Sequence, residues 1–154
     1  MKVLLQRVSE AFVEVNNKEV GAIKHGYLLL VGFDKNEVEN TLESMRDKIV
    51  GMKLFPDKEQ RLSYSLKEVH GEVLIVSQFT LCAGLKKGRK PNFSDACEPK
   101  LAERLYNQWI ELWKEQGITV QQGIFGADMQ VRLNNDGPVT LFLDSKELFP
   151  SLYR

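Results

Sequence analysis

Scarcity narrows this chain before any motif does. Its 154 residues include two cysteines and two histidines, and no apolar run long enough to span a membrane. Cys82 and Cys97 lie far apart with no CxxC pair, which excludes a zinc ribbon or a disulfide framework and leaves free thiols suited to the cytoplasm. His25 and His70 each precede a glycine at a turn, so neither comes with a partner for a histidine-based relay. No G-x-S-x-G elbow, Walker loop, HExxH or G-x-G-x-x-G is present, and scattered His and Cys give no metal-ligand cluster. Neither a metal nor a cofactor is expected. Lys2, Gln6, Arg7 and Glu10 interrupt the N-terminal segment, which reads as no signal peptide. Twenty-one basic residues balance twenty-one acidic ones, against a protein that coats nucleic acid by charge alone.

What is present is a periodic pattern. Val3, Leu5, Phe12, Val13 and Val15 alternate with polar residues, predicting two half-buried strands over the first fifteen positions. Asn16-Asn17 predicts a hairpin turn into a third strand through Val20 and Ile23. The continuous apolar run from Tyr27 to Phe33 predicts a central strand covered on both faces. Asp34 with Glu37 resembles a capping box, opening a helix whose buried face carries Val38, Leu42, Met45, Ile49 and Met52. Glu72 to Val76 predicts a strand that ends in Ser77, and residues 82 to 97 a long loop. Pro99 opens a second helix, with Leu101, Leu105, Trp109, Leu112 and Trp113 on its buried face and Gly117 as its stop. Thr119 to Val120, Met129 to Leu133 and Val139 to Leu143 complete the sheet. With no linker, repeat or low-complexity segment, residues 1–154 read as one α+β domain, a barrel-like antiparallel or mixed sheet with two main helices packed on it.

Two segments place polar or small residues where a sheet has to stop. In Ser77-Gln78-Phe79-Thr80-Leu81, a strand end leaves main-chain N–H groups of the kind that form an oxyanion hole. Asn135-Asp136-Gly137-Pro138-Val139-Thr140 reads as a turn between two strand runs, either a hairpin turn made from Asp136-Gly137 or a site for a cis X-Pro bond. Shortly after Thr80 come Lys86, Lys87, Arg89 and Lys90. Alone they suggest a solvated loop; beside the strand end they suggest phosphate contacts.

These segments, with Gln6-Arg7-Val8, Lys87-Gly88-Arg89 and Phe125-Gly126-Ala127-Asp128-Met129, resemble the D-aminoacyl-tRNA deacylases, the D-tyrosyl-tRNA deacylase family, from Met1 to about Ser145. The resemblance implies a cytoplasmic homodimer that hydrolyses the ester between a D-amino acid, or glycine, and the 3′ end of tRNA, with no membrane or DNA partner. It implies a cis Gly137-Pro138 peptide inserted into the partner's pocket, where main-chain carbonyls hold the substrate's amino group and block an L side chain. It makes Ser77, Gln78, Phe79 and Thr80 the catalytic strand end. Phe79 and Thr80 would supply amide donors, and the Thr80 hydroxyl is a proposed nucleophile in the family. The substrate's own 2′-hydroxyl would stand in for a base. Phe125 and Met129 match the terminal adenosine pocket, and Arg7 matches a brace for the Gly137-Pro138 loop. The chain departs from the family at Lys90-Pro91-Asn92-Phe93, where Arg-Pro-Ser-Phe is usual, and at Gly84, where Asp is common. A catalytically silent nucleic-acid-associated module is one alternative. An editing domain with relaxed chirality, were the Gly137-Pro138 bond trans, is another.

Overall fold

A computed structural model describes residues 1–86 and 88–154. One six-stranded mixed sheet dominates, and its backbone is a single strand, β1 (Lys2–Val15), long enough to serve several partners. The first half of β1 pairs antiparallel with β3 (Gly26–Gly32), and its second half pairs with β2 (Lys18–Ile23). The predicted break within the first fifteen residues is therefore absent. Register shifts between Gln6 and Glu10 take its place, re-aiming the side chains without ending the strand. Asn16 and Asn17 both adopt positive φ, 50° and 60°, as a two-residue hairpin turn that follows strand twist requires. Beyond β3 come β6 (Glu72–Ser77) and β7 (Val120–Gln122), both parallel, and β2 curls back against β7 to give a barrel-like closure. Along the other edge of β1 runs β8 (Gln130–Asp144).

Period-two alternation divides the interior in two. Tyr27, Leu29 and Val31 of β3, with Val73 and Ile75 of β6, face the helices. Leu28, Leu74 and Val76 face the barrel interior with Val8, Ala11 and Val13. Helix α1 (Asn40–Gly51) lays Leu42, Met45 and Ile49 on the first layer, and α2 (Pro99–Lys114) adds Leu105, Trp109 and Trp113. The two tryptophans are fully buried edge to face at 5.8 Å. Both are core residues, as their helical spacing suggests.

Asp34 and Glu37 do not cap α1. The helix begins at Asn40 after Glu39, with no side-chain cap, because the two carboxylates serve a distant cluster. Glu37 pairs with the Met1 α-ammonium and accepts from the Tyr153 hydroxyl, and Asp34 faces Lys2 at 3.6 Å and Lys146 at 3.3 Å. Burial acts to raise the Asp34 carboxyl, but these cations together hold it below the usual carboxylate range. Also unpredicted are a separate hairpin, β4 (Lys53–Pro56) with β5 (Leu62–Ser65), and a C-terminal turn of helix, α3 (Ser145–Leu148). Among the described residues no helix is long and apolar enough to cross a membrane.

Candidate functional site

Because β3 and β6 are parallel, with Val31 opposite Ser77, their C-terminal ends meet on one side of the sheet. There they open a cleft of about 680 Å³. Its floor is Val31, Val76 and Ser77; its walls include Phe125 and Met129 on one side and Phe93 with the start of α2 on the other. The Gln78 N–H makes a last bond to the Val31 carbonyl, 2.7 Å, and the chain then turns through a 3₁₀ segment, Phe79–Cys82. Gly32 makes room for this turn: a Cβ there would lie 2.7 Å from the Gln78 carbonyl oxygen.

The turn's first hydrogen bond runs from Leu81 N–H to the Gln78 carbonyl, 3.2 Å. The N–H groups of Phe79 and Thr80 precede it, and no protein acceptor meets them among the described residues. The Thr80 hydroxyl accepts from the Gln78 amide and lies outside the cleft lining, on an exposed residue. Neither histidine lines the cleft; His25 is bonded to the Val69 carbonyl at 2.7 Å. Beneath the floor, the Cys82 thiol donates to the Phe33 carbonyl at 3.3 Å. Burial, and then the Asp34 carboxylate, push it up to about 12, so it stays protonated. Burial likewise raises Cys97. The Glu98 carboxylate, at the cleft edge, is occupied in capping α2 through the N–H groups of Lys100 and Leu101. Among the described residues the cleft thus offers apolar walls and main-chain donors but neither an activated nucleophile nor a side-chain base. Such a site polarises a carbonyl that is already reactive.

Gly137 and Pro138 lie elsewhere. Both halves of β8 pair with β1, Thr140 opposite Gln6 and Asn135 opposite Val8. Residues 136–139 are therefore a bulge thrown out of one strand rather than a hairpin turn between two. The Gly137-Pro138 peptide is cis, and Gly137 sits at φ 133°. The Asn135 carboxamide staples the base, accepting from Val139 N–H at 3.0 Å and donating to the Thr140 hydroxyl at 2.7 Å. Arg7, only 6% exposed, donates through Nε to the Asp136 carbonyl, 3.0 Å, and through Nη1 to the Leu54 carbonyl of β4, 2.6 Å. The unpredicted hairpin is thus part of the clamp, held in turn by Phe55 stacked on Tyr27 at 5.2 Å. Neither Arg7 nor the bulge lines the cleft of its own chain.

Of the basic run, Lys86, Arg89 and Lys90 are exposed, and Lys87 falls outside the described residues. Lys86, Arg89 and Lys90 fall between Gly84 and Asn92, which are joined by paired main-chain bonds of 2.7 and 3.0 Å. Among the described residues no group of His, Cys, Asp and Glu could hold a metal ion. Sequence reasoning missed Glu98, Phe93 and the Leu54 carbonyl. Only Glu98 left a local signal, an acidic residue directly before a helix-opening proline.

Known proteins resemble this chain along nearly its whole length. The family model described as D-Tyr-tRNA(Tyr) deacylase matches residues 4–144. D-aminoacyl-tRNA deacylases from Thermotoga petrophila and Magnetococcus marinus are 46% and 49% identical over 97% and 94% of this chain, and 100% and 96% of their own. Among solved structures, c-Myc DNA Unwinding Element Binding Protein is 37% identical, with a TM-score of 0.87 over 94% of this chain and 98% of that one. A probable eukaryotic D-amino acid tRNA deacylase, 20% identical, shares the fold with a TM-score of 0.82 over 92% and 97%. The chain belongs to the D-Tyr-tRNA(Tyr) deacylase family.

Proposed function

We propose that the cleft hydrolyses the ester linking a D-amino acid, or glycine, to the 3′ end of tRNA, and that it does so in a homodimer. The observation that carries this reading is the pair of unclaimed N–H groups, Phe79 and Thr80, at an apolar cleft with no side-chain base. An aminoacyl ester is activated enough for such a site. Each donor aimed at the developing oxyanion is worth roughly 3–4 kcal/mol of barrier. Phe125 and Met129 would hold the terminal adenosine, whose 2′-hydroxyl would assist the attacking water in place of a histidine.

Two features support a second copy. The outer edge of β8 has no partner strand among the described residues, and it carries Phe142, 55% exposed. The Gly137-Pro138 bulge is rigidly held yet serves no cleft in its own chain. Delivered to a partner's cleft, its main chain would hold the substrate amino group and exclude an L side chain by clash. A clash cannot exclude what is smaller, so glycine should be accepted.

Hydrolysis of D-tyrosyl-, L-tyrosyl- and glycyl-tRNA tests the reading. Fast clearance of the D and glycyl substrates with the L substrate spared is the expected result. Equal rates for D and L, or a glycyl ester that persists, would overturn it.

A further inference from the structure

A cleft of about 680 Å³ is of a size to enclose one nucleoside with its amino acid. The rest of a single-stranded 3′ end has to leave over the rim. On that rim stand two aromatic rings, Phe79 and Phe93, 58% and 38% exposed and edge to face at 5.0 Å. The two rings meet, so together they present one aromatic surface at the mouth of the cleft. The backbone of Phe93 is fixed from both sides. Asn92 is bonded to Gly84, the Asn92 side chain accepts from Ser94 N–H at 2.8 Å, and the Phe93 carbonyl accepts from Ala96 N–H at 3.0 Å. Lys86, Arg89 and Lys90, a few residues before Phe93 in the chain, are exposed, and none has a carboxylate within ion-pair distance among the described residues. An exposed ring on a braced backbone, with cations a few residues away in the chain, is a combination that binds single-stranded nucleic acid, stacking the base and neutralising the phosphate.

We propose that Phe93 is a stacking platform for the base of the nucleotide that precedes the terminal one, with Arg89 and Lys90 taking its phosphate. The inference rests on the functional reading above. It adds a contact at the rim of the cleft, made to the part of the strand that the chemistry does not touch. Stacking tolerates any base, so the platform gives tRNA affinity without choosing among tRNAs.

Two substrates isolate this contact: D-tyrosyl-tRNA, and 2′(3′)-D-tyrosyl-adenosine, which lacks every upstream nucleotide. For Phe93→Ala, kcat/KM on the tRNA should fall roughly 5- to 150-fold further than on the nucleoside ester, with the extra loss in KM. Phe93→Trp should restore the tRNA preference, whereas Phe93→Leu, apolar but without a ring, should not. Arg89→Gln with Lys90→Gln should flatten the salt dependence of KM for the tRNA. Equal losses on both substrates, no loss on the tRNA, or full retention by the leucine variant would each overturn the proposal. Wild-type protein inactive on both substrates would defeat the functional reading itself, an outcome distinct from any of these.

Discussion

The two regions that matter most are built in opposite ways. At the cleft, main-chain donors are left without partners among the described residues and the walls are apolar. At the bulge, a buried guanidinium holds two carbonyls and a carboxamide staples the base, while Asp136, Gly137 and Pro138 face solvent. The first arrangement has capacity to spare for a ligand; the second spends its capacity on rigidity. The contrast separates receiving from positioning, and each can be disturbed alone.

The largest effect should come from the clamp. Arg7→Met removes the donors to Leu54 and Asp136 and leaves the buried Leu54 carbonyl unpaired, at a cost of about 2–3 kcal/mol, or a Tm lower by roughly 5–10 °C. Calorimetry would show it, and an unchanged Tm would mean that the guanidinium is not what holds the bulge. Next comes Gly137→Ala. Its Cβ would lie 3.0 Å from Arg7 Nη2 and from Val139 Cγ2, at a φ that L residues rarely adopt. A loss of about 1–3 kcal/mol is expected from a urea titration, with the bulge displaced.

A smaller effect, this time of pH, is expected where the cleft floor meets the chain ends. Because Asp34 titrates below its unfolded value, its ionised form stabilises the native state above pH about 4. That contribution disappears as the pH falls through the lowered native value. Asp34→Asn should therefore weaken the protein at neutral pH and flatten the acid side of its stability curve. The smallest effect is at the cleft itself. Thr80→Val keeps the main-chain N–H and should leave the single-turnover rate within about tenfold, whereas loss of a true nucleophile would cost several orders of magnitude.

Legibility in the sequence divides along the same line. The cleft floor was readable because strands β3 and β6 announce themselves by apolar runs, and because Ser77 to Leu81 visibly ends one of them. Helix α2 was readable from Pro99, its tryptophan spacing and Gly117, whose φ of 69° closes it. What hid was nonlocal. Gly137-Pro138 has the local chemistry of a hairpin turn, and only the pairing of both flanks with β1 makes it a bulge. Asp34 and Glu37 have the spacing of a capping box, but distant cations recruit them first. The β4–β5 hairpin is short, with β5 largely exposed, so its pattern is faint. Its role becomes visible only through the Leu54 carbonyl that Arg7 finds 47 residues away.

If positioning and receiving belong to different copies, each defect should be curable by the other. The direct measurement is to refold Pro138→Gly and Phe125→Ala proteins together, each poorly active alone, and assay D-tyrosyl-tRNA hydrolysis. One variant keeps an intact cleft and the other an intact bulge, so hybrid dimers hold one complete site. The mixture is predicted to recover about one quarter of wild-type activity, the statistical yield of such sites. A mixture no more active than the average of its parents, or wild-type protein fully active as a monomer, would contradict the account.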